Sequence, residues 1–372
     1  MKRLVSLLLA AICLLPLSGC AALLDPHSLW QAKDYFGNLS MQEDQEAGAP
    51  ADTNVYREDD NSYGYYYDQL AENSRVVYRT IYLDCMNSAG IPIVFREALT
   101  FSFSPAEADG ADVAIREAIG SLVQPALDAL LYDHPEINWI SMEEGSGSTF
   151  SISSRKETKE DGSVAVEIRK LTFRLVYKAG ATQESVETEA ALLTAAAKEA
   201  GATLNEDATR YETLCALQEY LCHAVTYQSG APRAHEAAGA LIDHAAVCDG
   251  YAKAFKLLCD AYDIPCLVVP GTATQNGKKE PHAWNYVQME DGKWYGMDVT
   301  WDDGSTEIGK SYFLVGSGTV TSITMGYFGS SHQENGKFSA GNYSPFTFPE
   351  LAFFRYKAPV LSGLRERTDA LS

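Results

Sequence analysis

The stretch from Ala245 to Asp303 constrains this chain more than any other, because Cys248, His282 and Asp298 fall at the edges of three regular elements in quick succession. Val247, Tyr251, Ala254, Phe255, Leu258 and Tyr262 recur at helical spacing. That periodicity predicts a helix with one buried face, ending before Pro265 and carrying Cys248 in its first turn. A thiol there meets backbone N–H groups without helical acceptors and the positive end of the helix dipole, both of which favour thiolate. Cysteine is also a small hydrophobe that cores readily bury. The partners downstream decide between the two.

Cys266 to Val269 reads as a short buried strand closed by Pro270 and Gly271, with residues 272–281 as a polar loop. HAWNYVQ and KWYGMDV then read as two strands joined around Glu290, Asp291 and Gly292. Register decides whether chemistry is possible. A two-residue Asp-Gly turn would pair 290 with 293 and send His282 and Asp298 to opposite faces. A three-residue Glu-Asp-Gly loop with Gly292 left-handed pairs 289 with 293 and leaves them diagonal neighbours on one face. The second arrangement is the prediction.

With that register, roles follow from charge. Cys248 would attack an acyl carbonyl, His282 would hold the thiol proton and pass it to the leaving group, and Asp298 would fix the imidazole tautomer. The Cys248 backbone N–H would be an oxyanion donor, and Tyr227 is a candidate for a second. VCDGYAKAF, HAWN and DVTWDD, in that order, resemble the core of the transglutaminase-like superfamily, whose papain-like α+β fold serves thiol peptidases and acyl-transfer enzymes. The resemblance implies Cys248 as nucleophile, His282 as histidine and Asp298 as aspartate, over roughly Leu204 to Pro349. The family's usual glycine two residues before the nucleophile is Ala246 here.

Lys2 and Arg3 precede an apolar run to Leu17, followed by Ser18-Gly19-Cys20. The run is short for a membrane span and fits an export leader. Its end resembles a bacterial lipobox, implying cleavage before Cys20 and lipid on its sulfur. The expected location is therefore the outer face of the cytoplasmic membrane, held by a lipid anchor. The chain carries 29 Lys and Arg against 50 Asp and Glu, a net charge of −21. The leader would take only Lys2 and Arg3 with it, so the remainder is more acidic still. That charge disfavours nucleic acid and anionic lipid surfaces as partners.

Residues 1–19 thus read as leader, 20–62 as an acidic flexible stalk, 63–180 as an amino-terminal α+β domain, 181–203 as a linker helix, 204–361 as the catalytic domain and 362–372 as a frayed tail. Within the amino-terminal domain, residues 63–85 carry a helical stripe, although Val76–Leu83 also alternates as a strand would. Ile93 to Phe103 alternates, Ile115 to Leu130 marks a long helix around Pro125, and strands fit 137–142, 149–154 and 164–177. A phase shift between Ile168 and Leu171 predicts a bulge. SYFLV at 311–315 reads as a further strand, and the Gly-, Ser- and Tyr-rich residues 316–349 as a wrapping segment.

Six cysteines lie beyond Cys20. Cys215 and Cys222 are two turns apart on one predicted helix, about 10 Å along its axis and too far to bridge, while a Cys259–Cys266 bridge stays open. His223 and His235 show no partner pattern. His244 with Cys248 and His282 could make a zinc site, but metal on the thiolate would leave Asp298 without a purpose. Asp302 and Asp303 compete with Asp298 as orienting groups, and Trp284 and Trp301 either wall a cleft or fill the core. The expectation is a surface-tethered thiol enzyme acting on peptide or glutaminyl amides, such as those of cell-wall peptides, without cofactor or metal. Whether water or an amine resolves the acyl-enzyme separates peptidase from crosslinker. The alternative class is a non-catalytic binding domain that retains the fold. Composition does not report oligomeric state.

Overall fold

The structure is a computed structural model that describes residues 40–43, 63–86, 90–140, 149–303, 310–322, 326–334 and 346–358. The expected leader, the expected lipidation site Cys20 and the expected terminal tail lie outside them. Among the described residues no helix is long and apolar enough to cross a membrane.

The amino-terminal domain is two helices on one face of a four-stranded sheet. Strands β1 (Ser40–Glu43), β2 (Ile91–Phe103), β3 (Thr149–Thr158) and β4 (Val164–Arg174) stand in the order β1-β3-β4-β2. The first pair is parallel and the others antiparallel. Ile91, Ile93 and Phe95 point inward by strand alternation, with Phe150, Ile152, Leu171 and Phe173 beside them. Over them lie α1 (Glu72–Asp84), which settles the helix-or-strand ambiguity as helix, and α2 (Ala111–Asp133), which carries Pro125 inside it. Both neighbours of β4 shift register across Arg169, the bulge that the phase change predicts. Two expectations need correction. Ser40–Glu43, inside the supposed stalk, is a strand paired with Ser151–Ser154. Residues 137–140 form no strand, contributing only the isolated bridge Ile140 to Tyr177.

Next come α3 (Gln183–Ala200) and α4 (Arg210–Ala224). Each begins at a reciprocal cap, Thr182 with Ser185 and Thr209 with Glu212, which satisfies backbone donors that the helix leaves without partners. The first was expected as a linker, but Leu193, Ala196, Ala197 and Ala200 are buried in the same core as Phe255 and Leu258. It belongs to the second domain. There β5 (Thr226–Tyr227) pairs parallel with β6 (Ala245–Ala246), with the short α5 (Ala237–Leu241) between them. Then α6 (Cys248–Asp260) packs across the hairpin of β7 (Cys266–Gln275) and β8 (Lys278–Gln288), followed by β9 (Trp294–Met297).

Residues 272–281, expected as a loop, are instead the distal half of that hairpin, with partners running out to Gln275 and Lys278. The turn is Asn276-Gly277, both at positive φ (52° and 77°), the two-residue geometry that keeps strands paired. The segment 311–315 is not a strand either; only Val315 bridges, to Gly296. Beyond it, β10 (Val320–Ser322) pairs with β11 (Gly326–Tyr327), and the one-turn α7 (Val299–Asp302) and α8 (Phe328–Ser331) precede β12 (His332–Glu334). That last strand adds to the outer edge of β7, giving the order β12-β7-β8-β9.

The two domains meet where the Tyr66 hydroxyl donates to the Val268 carbonyl. The start of α6 is held tightly from the other side. A side chain on Gly250 would come within 2.3 Å of the Ala234 carbonyl oxygen, whereas one on Gly230 would meet nothing within 4 Å. Gly250→Ala should therefore lower unfolding free energy by about 1–3 kcal/mol, and Gly230→Ala should leave it nearly unchanged, as read by urea denaturation.

Candidate active site

The register turns on one loop. Met289 donates to the Lys293 carbonyl to become its hydrogen-bonded partner, Gly292 sits at φ 76°, and Asn285 faces Met297. This is the three-residue arrangement expected from Glu290-Asp291-Gly292. It carries Asp298, just past the end of β9, to the face of the sheet that bears His282. Their contact is direct: His282 Nε2 lies 2.8 Å from Asp298 Oδ2, and the two side chains are 7% and 0% exposed.

Asp298 also caps α7, its Oδ1 accepting from Trp301 N at 3.1 Å. The cap fixes one carboxylate oxygen on the helix and aims the other at the imidazole. Burial opposes ionisation of Asp298, but the charge and hydrogen bond of His282, followed by those of His332, outweigh it and hold the carboxyl well below the usual carboxylate range. An ionised Asp298 can only accept, so in a neutral His282 the proton lies on Nε2 and Nδ1 is the acceptor nitrogen.

Trp301 stacks on His282 with ring centroids 5.0 Å apart and planes 28° apart. Trp284, also stacked at 6.1 Å, is wholly buried. Trp301 therefore walls the imidazole, and Trp284 fills the core behind it.

Cys248 is fully buried at the first position of α6. Val247, Ala234, Ala231 and Tyr227 pack with it. Tyr227 packs against the small cluster that holds Cys248, held by the pairing of β5 with Ala246, and its ring stacks on Tyr251. The methyl of Ala246, where the resemblance leads one to expect glycine, is buried in the core.

The face of β8 that carries Ala283 and Asn285 lies against α6: Asn285 Nδ2 donates to the Ala252 carbonyl at 2.8 Å and to that of Leu267 at 3.1 Å. By strand alternation His282 and Trp284 point to the other face. α6 packs against β8 and against the one-turn α7, and β9 pairs with residues 285–288 of β8, stopping short of His282. α7 bridges this gap, since Asp298 begins it while Asp303, at its end, accepts from the Tyr251 hydroxyl of α6 at 2.6 Å. Asp302 and Asp303 therefore do not orient His282. Asp302 accepts from Gln218 and from Tyr312 N, and burial pushes its carboxyl up to about 7.

Next to Cys248, Asp249 Oδ1 lies 2.8 Å from His235 Nδ1, so His235 is more than a surface residue. Burial again opposes ionisation, but the charge of Lys253 and the bond from His235 lower the pKa of Asp249.

One residue escaped the sequence reading. His332, from β12, places Nε2 3.1 Å from the same Asp298 Oδ2. His282, Asp298 and His332 are the group of potential metal ligands found among the described residues. His244, by contrast, is exposed and belongs to no such group. Tetrahedral zinc at ordinary bond lengths separates its ligand atoms by about 3.3 Å. Contacts of 2.8 and 3.1 Å between nitrogen and oxygen are instead those of charge-assisted hydrogen bonds. Among the described residues no disulfide forms, so Cys259 and Cys266 are not bridged.

The model of the Transglutaminase-like superfamily matches residues 192–299. Those residues form a transglutaminase-like domain. No curated protein matches the chain in sequence. Among solved structures, a TGase is similar at 13% identity and TM-score 0.28 over 45% of this chain and 56% of its own. A candidate cysteine protease from Cytophaga hutchinsonii is similar at 18% identity and TM-score 0.26, over 40% and 62%. The periplasmic domain of TgpA from Pseudomonas aeruginosa, bound to ethylmercury, gives 18% and 0.23 over 39% and 62%. The chain thus spans under two thirds of each. The transglutaminase-like domain of this chain keeps the mixed helix and sheet core, with α6 packed on the antiparallel hairpin of β7 and β8.

Removing the Asp298 carboxylate would strand two buried imidazoles, so Asp298→Ala should destabilise the fold by about 3–5 kcal/mol. Because the folded carboxyl is depressed, its contribution is present above the ordinary carboxylate pKa and lost as pH falls through the folded value. The stability gap between wild type and Asp298→Ala should therefore be full at pH 7 and shrink below about pH 4, as measured by urea unfolding at each pH.

Proposed function

We propose that the transglutaminase-like domain is a thiol acyl-transfer or amide-hydrolysing enzyme in which Cys248, His282 and Asp298 act together. The observation that carries this reading is the buried 2.8 Å bond between His282 and Asp298, an imidazole whose tautomer is fixed, beside the helix that begins at Cys248. In the proposed reaction the Cys248 sulfur, its proton held by His282 Nδ1, adds to the carbonyl carbon of a peptide or glutaminyl amide. The first-turn N–H groups of α6 receive the oxyanion, with the Tyr227 hydroxyl as a second donor. As the tetrahedral adduct collapses, the C–N bond breaks and His282 gives its proton to the departing amine, leaving a thioester. Water or a second amine, deprotonated by His282, then attacks the thioester and restores the thiol. Asp298 keeps the imidazolium oriented throughout and is not itself protonated.

The leader and lipobox reading extends the proposal to an exported protein anchored through Cys20, working on peptides outside the membrane. Radiolabelled palmitate incorporated into wild type but not Cys20→Ala would support the anchor, and equal labelling would sink it.

The enzyme reading is tested by iodoacetamide. Cys248 should be alkylated faster than a free cysteine peptide at pH 7 and faster than the other five thiols, with His282→Ala slowing it by at least about tenfold. Labelling of Cys248 no faster than the peptide would favour the non-catalytic binding domain. With casein and a fluorescent amine, incorporation of label marks transfer and new amino termini mark hydrolysis. Cys248→Ala should abolish whichever is seen.

A further inference from the structure

Resting on the thiol-enzyme reading, we infer that His332 is a positioning residue, a second N–H donor that holds Asp298 Oδ2 at the angle from which it orients His282. The two nitrogens converge on one oxygen, at 2.8 Å from His282 and 3.1 Å from His332, while Trp301 N holds the other oxygen. A carboxylate with one oxygen capped and the other gripped from two sides cannot rotate about its terminal bond without breaking a charge-assisted hydrogen bond.

The His332 ring is itself built in. It is 2% exposed, stacks on Phe328 with centroids 4.1 Å apart, and stands edge-on to Trp301 at 4.7 Å. Its Nδ1 lies 2.9 Å from the Ser331 hydroxyl, which leaves Nε2 facing Asp298. Pairing of β12 with β7, His332 opposite Ala273 and Glu334 opposite Gly271, sets the residue on the His282 face of the sheet. The fold therefore uses a strand some fifty residues downstream of His282, beyond the matched superfamily region, to complete the surroundings of the orienting carboxylate.

The ionisable groups around His332 are few. Asp298 and His282 face it, and the Tyr312 ring lies 5.8 Å away. Behind Tyr312, Asp302 accepts its backbone N–H. Glu334, two residues along the same strand, is engaged by the Tyr286 hydroxyl at 2.6 Å. Burial pushes the His332 imidazole down, against the bond and charge of Asp298 and a bond to the Phe328 backbone; because the ionised Asp298 can only accept, His332 meets it through an Nε2–H.

The discriminating variant is His332→Phe, which keeps the stack on Phe328 and removes the donor, with His332→Gln restoring an N–H. In His332→Phe the maximal rate of Cys248 alkylation, and kcat in whichever casein assay responds, should fall about tenfold with KM unchanged. The upper limb of the alkylation pH profile should move to higher pH, because Asp298 then directs its whole charge at His282. His332→Gln should recover most of the rate. An unaltered pH profile and kcat in His332→Phe, with only a lower Tm, would reduce His332 to packing and overturn the inference while leaving the enzyme reading intact. His332→Phe as inactive as wild type is active, beside a working His282→Phe, would make His332 the base and overturn it in another way. If wild-type Cys248 itself is not selectively alkylated, the enzyme reading fails first and this inference falls with it.

Discussion

Everything at the candidate site is arranged around one buried carboxylate oxygen. The Asp298 carboxylate is where the β7–β8 hairpin, the strand β12 and the cap of α7 converge, Oδ2 meeting the two imidazoles and Oδ1 the cap, and it is shut off from solvent. A lone carboxylate there would cost several kcal/mol or take up a proton. Two imidazoles and a backbone N–H reverse that preference, and the reversal binds three chain segments into one geometry. The charge is the reason the segments meet, and the meeting is the reason the charge is tolerated.

The register of the β8–β9 hairpin is the local cause. Had Asp291-Gly292 closed a two-residue turn, the strand alternation would have turned Asp298 away from His282 and left both without partners in a core. The left-handed Gly292 adds the one residue that brings them to the same side. Neighbouring acids then divide their work by environment: Asp302 accepts from Gln218 and the Tyr312 backbone, and Asp303 ties α7 to α6 through Tyr251. The three aspartates of DVTWDD are alike in sequence and differ only in what the one-turn helix presents to each.

That contrast explains what could be read from the sequence. The helix that begins at Cys248, the hairpin register and the pairing of His282 with Asp298 depend on contacts between residues close in the chain, where period and turn chemistry carry the signal. The bulge at Arg169 was legible for the same reason, as a break in alternation within one strand. The Asn276-Gly277 turn had a usable signature, but the polar residues around it, Gln275 to Glu280, masked the strands on either side because the distal hairpin is exposed and needs no apolar alternation. His332 had no local signature. It sits in a Gly- and Ser-rich stretch, and its role comes from a three-residue strand added to a distant edge, a contact that neither periodicity nor spacing encodes. Tyr312 and Phe313 likewise read as strand because aromatic residues favour strands, yet they fill the core without forming a ladder.

The burial of Cys248 sets a further requirement on any reaction there, since a substrate carbonyl must reach a sulfur with no exposed surface. Small residues pack with it: Ala231 and Ala234, together with Val247 and the Tyr227 ring. The segment they belong to is tied down by backbone bonds, Val247 N to Ala234 O and Gln228 N to Ala246 O, both 2.9 Å. Arg233 adds ion pairs to Glu189 and Asp243, but these partly exposed pairs contribute only about 0–1 kcal/mol each. The strong ties are therefore those that also place the first turn of α6, and the Ala234 carbonyl is the atom that forbids a side chain on Gly250. Displacing this segment as a whole would break the backbone bonds that place the first turn of α6. The segment packed against the Cys248 cluster is thus also the one that keeps the start of α6 in place.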